Sequence, residues 1–137
     1  MVTTICKHLV PEHQRSSHVA KLFGHHFPMR LEPFVFGITE RLSSDYLGGY
    51  WEFFALCNGA FYMAPQSDTM FNVSCENGFE GKLSADALGI TACLYAYSNL
   101  SFTDGDAFAK TCAQQYHLLR DYAMDHGEVG AILGATD

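Results

Sequence analysis

The chain has 137 residues, 48% hydrophobic and 14% aromatic, which is enough apolar material for one packed domain spanning 1–137 and excludes a disordered chain. Eight Lys and Arg against fifteen Asp and Glu leave a formal charge of −7, which repels a phosphate backbone and argues against direct DNA binding. The acids are equally unsuited to imitating DNA: about 20 Å of duplex carries roughly a dozen charges, whereas these are scattered from Glu12 to Asp137, none adjacent to another, with basic residues among them.

In chain order the periodicity predicts helix, then sheet, then helix. Pro11 suits a first helical turn, Val19, Leu22 and Phe23 recur at helical spacing, and Gly24 is placed to end the helix. A second helix begins at Glu32-Pro33, with Phe36 and Glu40 on successive turns, although Phe34, Val35, Ile38 and Thr39 also have strand propensity. Next comes a hairpin, Tyr50 to Cys57 and Ala60 to Ala64, joined by Asn58-Gly59, a pair suited to a type I′ turn. That turn sets Cys57 against Ala60, Leu56 against Phe61 and Phe54 against Met63. Both faces are apolar, so the hairpin is expected to lie centrally, covered on both sides unless one face is kept for a partner.

A second hairpin surrounds Glu76-Asn77-Gly78. A three-residue loop with Gly78 in the left-handed region aligns Phe71 with Leu83, Asn72 with Lys82, Ser74 with Glu80 and Cys75 with Phe79, giving one apolar and one polar face. Ser84 is a good N-cap for a largely buried helix from Ala85 to about Ser98. Thr103 is the expected cap of a last long helix, with Asp104 and Asp106 in its first turn, a face of Phe108, Cys112, Tyr116, Leu119 and Tyr122, and a stop at Gly127. The tail, Glu128 to Asp137, is left as a short docked turn or a frayed end. The sum is an α+β domain: a central antiparallel sheet of about four strands, made of two hairpins and packed by N-terminal and C-terminal helices.

The five cysteines are odd in number and widely spaced, as in a protein of reduced thiols. Met1 to Val10 lacks the pattern of a secretory signal, and no run of 18 apolar residues occurs, so no membrane association and a cytoplasmic location are expected. Neither Cys-x-x-Cys nor His-x-x-x-His is present, and the adjacent His25 and His26 should diverge, so neither metal nor cofactor is expected. His8, His13 and His18 recur every five residues, which reads as solvent-exposed histidines. Cys112, His117 and Asp121 form the most suggestive catalytic grouping, but Cys112 fits the apolar face of its helix better than a reactive site.

Lys7, Arg15, Lys21, Arg30 and Arg41 give the N-terminal third a basic bias that interspersed acids dilute. Trp51 and its aromatic neighbours read as sheet core. Asp45 and Tyr46, in a loop beside a rigid hairpin, and Glu52, the charge within the first strand of that hairpin, are the candidate partner contacts.

The stretch Arg41 to Pro65, and within it Gly48-Gly49-Tyr50-Trp51-Glu52-Phe53 and Phe61-Tyr62-Met63-Ala64-Pro65, resembles the signature of the ArdB/KlcA antirestriction family. Looser similarity runs from the first helix to the last. The family commonly has Ser-Asn-Gly-Gly at the hairpin turn, where this chain has Cys57-Asn58-Gly59-Ala60. The resemblance implies a plasmid, phage or genomic-island protein that lets incoming unmodified DNA escape type I restriction. Such a protein would act through the type I restriction-modification enzyme or an accessory host factor, without DNA mimicry and without catalysis. The alternative from another class is a small thiol-dependent or hydrolytic enzyme that modifies such a partner.

Overall fold

The computed structural model describes residues 4–103 and 106–137. After Pro11, one turn of 3-10 helix over Glu12–Gln14 leads into α1 (Arg15–Phe23), which Gly24 closes at φ 61, a left-handed conformation that favours glycine. A π-helical turn over Phe27–Leu31 then runs into α2 (Glu32–Leu42). Pro33, which has no N–H to continue the ladder, sits where the π-turn gives way to α2. Val35, Ile38, Thr39 and Leu42 are buried at spacings of three and four, and this stripe decides for helix over the strand propensity of the same residues.

The sheet begins with a strand the sequence did not announce, β1 (Lys7–Leu9), three residues long and exposed throughout, too short to carry an alternating pattern. It pairs antiparallel with β2 (Trp51–Leu56), which pairs on its other side with β3 (Phe61–Pro65). The register of the β2–β3 hairpin differs by one residue from the type I′ expectation: Phe53 faces Met63, Phe54 faces Tyr62 and Ala55 faces Phe61. Only Gly59 has a positive φ, at 95°, whereas a type I′ turn needs two such residues. The Gly59 amide bonds to the Leu56 carbonyl and the Leu56 amide to the Ala60 carbonyl, so the loop has three residues and Leu56, not Cys57, faces Ala60. Both faces are nonetheless apolar, and all five residues of β3 are buried.

β4 (Met70–Ser74) and β5 (Glu80–Ser84) pair in the expected register, with Phe71 facing Leu83, Ser74 facing Glu80 and Gly78 at φ 93. Burial alternates along β4, as a half-solvated pair requires. The two hairpins do not join into one four-stranded sheet. They form separate sheets of three and two strands, because a helix occupies the free edge of β3.

That helix is α3 (Ala85–Ser101), capped by Ser84, whose Oγ accepts from the Ala87 amide at 3.1 Å. Its residues Gly89, Cys93 and Tyr97, one turn apart, run along β3. The Tyr97 hydroxyl donates to the Phe61 carbonyl at 2.7 Å, and the Cys93 thiol to the Met63 carbonyl at 3.7 Å. A Cβ at Gly89 would lie 2.4 Å from the Met63 carbonyl oxygen, so only glycine lets the backbones approach so closely.

α4 (Ala107–Ala123) packs on α3, and its Gln115 accepts from the Phe61 amide at 2.8 Å, satisfying a further edge group of β3. The N-cap of α4 is Asp106, which accepts from the Ala109 amide, rather than Thr103. Thr103 donates to the Leu100 carbonyl and closes α3 instead, and Asp104 lies outside the described residues. α4 also stops at Ala123, short of Gly127. The tail is neither frayed nor a bare turn: it folds as α5 (Val129–Thr136) and buries Ile132 and Ala135.

Candidate functional site

The segment from Arg41 to Pro65 folds as the end of α2, an irregular loop over residues 43–50, and the β2–β3 hairpin. The loop is held at both ends. At the first, the buried Ser43 donates its hydroxyl to the Asn72 carbonyl at 2.6 Å, and Asp45 Oδ2 accepts from the Asn72 amide at 2.8 Å and from its side chain at 3.0 Å. The loop is thereby fastened to β4. Tyr46 follows, its hydroxyl accepting from Trp51 Nε1 at 2.8 Å, with the Trp51 ring edge-on to both Tyr46 and Phe36.

At the far end, the Tyr50 hydroxyl donates to the Glu12 carboxylate and accepts from Arg15 at 2.7 Å. The Arg15 guanidinium lies 5.0 Å from the Tyr50 ring centre and 4.6 Å from that of Phe53. The hydrogen bond to Glu12 raises the Tyr50 phenol above its ordinary range. Arg15 and Phe53 also line an open pocket of about 470 Å³ with Val19, Phe27 and Glu32, and burial raises the Glu32 carboxyl.

Between these anchorages the chain crests at Leu47-Gly48-Gly49. Leu47 is 93% exposed, and Gly48 and Gly49 have φ of 90° and 127°. An apolar side chain presented to solvent on a loop tied down at both ends is a feature that interaction surfaces share. Asp45 and Tyr46 thus fall together in one loop, where their polar atoms hold it in place. Glu52 lies apart, half-buried on β2 opposite Ala64 and on the other face of the strand from Trp51. The sequence signal for Leu47 is slight: an apolar residue between a helix end and a glycine pair.

A second constellation had no sequence signal, since its members are far apart in the chain. Asp86, in the first turn of α3, accepts from Tyr62 at 2.6 Å through Oδ1, which also meets Lys7 at 3.4 Å, while Oδ2 lies 2.9 Å from His126 Nε2. Burial opposes the Asp86 charge, but the bonds from His126 and Tyr62 and the Lys7 charge outweigh it, so the carboxyl stays below its usual range. The same surroundings push the Tyr62 phenol far up, burial first and the Asp86 charge second. Although Asp–His–Tyr is a catalytic vocabulary, His126 Nδ1 accepts from the Glu128 amide at 3.0 Å. With one ring nitrogen on Asp86 and the other on the backbone, His126 has no lone pair left for a substrate proton. The cluster pins β1, β3, α3 and the start of α5 together.

The other sequence candidates separate. Cys112 is fully buried and its thiol is pushed up to about 12 by burial, while His117 is exposed one and a half turns away with its ring edge-on to Tyr116. His25 and His26 do not diverge: their rings are 4.1 Å apart, because they occupy the irregular passage from α1 into the π-turn, and His26 stacks on Phe108. His18 is not solvent-exposed either; it is half-buried with its ring 6.0 Å from Phe61, and burial lowers it below the usual histidine range. Of the basic residues, Lys7, Arg15 and Arg30 are engaged by Asp86, Tyr50 and Asp106 respectively.

The family model for antirestriction proteins matches residues 44–137, from the first residues of the anchored loop to the last helix. This chain belongs to the antirestriction protein family. Among its relatives, one antirestriction protein KlcA of Escherichia coli is 44% identical over 80% of this chain and 76% of its own length. Another KlcA of that species is 39% identical over 94% of this chain and 92% of its own. A solved structure of the KlcA and ArdB proteins, a novel fold with antirestriction activity against Type I DNA restriction systems in vivo but not in vitro, covers all of both chains at 40% identity and a TM-score of 0.90. The antirestriction fold is therefore present here from β1 to α5. Among the described residues no helix is long and apolar enough to cross a membrane, and no three His, Cys, Asp or Glu side chains converge as metal ligands would.

Proposed function

We propose that this antirestriction protein relieves type I restriction of incoming unmodified DNA in the cytoplasm by contact with a protein, and neither imitates DNA nor catalyses a reaction. The observation that carries the reading is the match along the whole chain to the KlcA and ArdB structure, whose activity against Type I systems is seen in vivo but not in vitro. An activity lost outside the cell implies a cellular component beyond the purified proteins, so an accessory host factor is the favoured partner, ahead of the restriction enzyme itself. The charge pattern supports the rejection of mimicry. Asp45, Asp86, Asp106 and Glu128 all serve hydrogen bonds within the fold, leaving too few acids to trace a phosphate path.

The contact surface in this reading is the anchored loop. Leu47 meets the partner, Asp45 and Tyr46 fix the crest that presents it, and Glu52 on the adjoining strand supplies a charge. The test is the plating of unmodified phage on cells with and without an active type I system, each carrying the chain or an empty vector. Relief confined to the restricting strain, with methylation intact, is expected, and so is its loss in Leu47→Asp at unchanged abundance. Absence of relief against several type I systems from folded, abundant protein would sink the proposal.

A further inference from the structure

The cysteine count alone gives no reason to pair any two of the five thiols, but the register of β1 on β2 does. Lys7 faces Leu56, so the next pair outward is Cys6 and Cys57, which are 51 residues apart in the chain. The Cys57 amide donates to the Cys6 carbonyl at 3.0 Å, and the Cys6 amide donates to the Cys57 sulfur. One backbone bond of the pair is thus made, and residues opposite one another on antiparallel strands have Cα atoms about 4.5–5.5 Å apart, inside the range of about 4.4–6.8 Å that a disulfide spans. Both thiols are exposed, whereas Cys75, Cys93 and Cys112 are buried.

We infer that Cys6 and Cys57 form a dithiol site that low-molecular-weight disulfides of the glutathione class oxidise to an intrachain cross-strand disulfide. Cys6 is raised above its ordinary value, first by its side-chain hydrogen bond with Cys57 and then by the Cys57 charge, which places the two thiols in contact. The first thiolate attacks one sulfur of the small disulfide, which releases one thiolate and leaves a mixed disulfide. The second cysteine gives its proton to solvent and attacks the protein sulfur of that mixed disulfide, expelling the other small thiolate. Two protein thiols lose two electrons and two protons, and one small disulfide becomes two small thiols.

Selectivity comes from the fold. Cys75, Cys93 and Cys112 are buried out of reach of a small disulfide in solution, and burial raises all three thiols, whereas Cys6 and Cys57 are exposed. The consequence is mechanical. β1 is three exposed residues joined to the sheet along one side, and the disulfide would staple it covalently to the turn of the β2–β3 hairpin. In a reducing compartment such a bond is transient, which suits a reversible modification rather than a structural cross-link.

The test is incubation of the full chain with excess oxidised glutathione, followed by intact mass, peptide mapping without reductant, and thermal melting. The expected result is a loss of two hydrogens, a peptide linked through Cys6 and Cys57, and a melting temperature higher by roughly 5–10 °C that dithiothreitol reverses. Cys6→Ser and Cys57→Ser should each take up one glutathione and show no rise. Glutathione on both cysteines without an internal link, a link through any other cysteine, or unchanged thiols would overturn the inference. Mapping the unaltered chain identifies the link whether or not the serine variants fold.

Discussion

The two hairpins carry the same turn and live in different surroundings. In each, Asn-Gly closes a three-residue loop: Asn58 Oδ1 accepts from the Ala60 amide, and Asn77 Oδ1 accepts from the Phe79 amide. In each, the asparagine amide also reaches a helix carbonyl, Leu118 of α4 for Asn58 and Gly134 of α5 for Asn77. Yet β2–β3 is covered on both faces and along an edge, while β4–β5 keeps one face in water. One short motif therefore both sets a register and docks a turn onto a helix. What the docking is worth depends on how far water is excluded around it.

The largest contrast should come from Gly89→Ala, because the close glycines at the second hairpin, Gly81 and Gly134, meet only the Phe79 ring, at 2.9 and 2.8 Å, and not a backbone. A Cβ there meets Ala64 and the Met63 carbonyl at 2.4 Å, so α3 must lift off β3. We expect a loss of about 3 kcal/mol or more in denaturant unfolding; a loss under about 1 kcal/mol would mean that helix and strand can separate freely. Next come the asparagines. Asn58→Ala should cost about 2 kcal/mol and Asn77→Ala about 1 kcal/mol, since the Asn58 bond to α4 is partly buried and the Asn77 bond to Gly134 is exposed. Equal costs would break the comparison.

The glycines should behave alike. Gly59→Ala and Gly78→Ala each force an alanine to a φ near 90°, with nothing closer than 3.8 Å to either new methyl group, so each should cost about 1 kcal/mol in the same denaturant unfolding.

The smallest effect is that of acid, and it falls on the first hairpin. His18, against Phe61, is depressed in the fold, so its contribution is intact above the unfolded value of about 6.5 and is lost as pH falls below it. Asp86, bonded to Tyr62, is depressed too, and its contribution is present above the unfolded value of about 3.9 and lost below it. His18→Leu should flatten the fall of the unfolding midpoint just below pH 6.5 while leaving the acid limb below pH 4 in place.

These hairpins also show what the sequence could and could not convey. The β4–β5 register was legible because only one of two loop lengths sorted apolar from polar side chains. In β2–β3 both faces are apolar, so a slip of one residue leaves the pattern unchanged, and the Asn-Gly pair fits a two-residue and a three-residue loop alike. The helices were legible wherever a stripe or a cap was local, as at Ser84; Thr103 and Asp106 both qualify as caps, and only the geometry chooses between them. Of the candidate site, the glycine-rich loop could be located from its motif, but its anchorage on Asn72 and Glu12 could not, because both partners come from distant parts of the chain. The Asp86 cluster and the Cys6–Cys57 pair were hidden for the same reason.

One consequence of how α3 meets β3 concerns divergence. Tyr97, Cys93 and Gln115 bond to the main chain of the strand, at Phe61 and Met63, and Gly89 yields to it by having no side chain. The two helices thus read the strand's peptide groups at Phe61 and Met63, while Gly89 also leaves room for the Ala64 methyl group. Side chains at Phe61 and Met63 can therefore be exchanged without removing a bond that seats the helices, whereas a change at Gly89, Cys93, Tyr97 or Gln115 removes a contact directly.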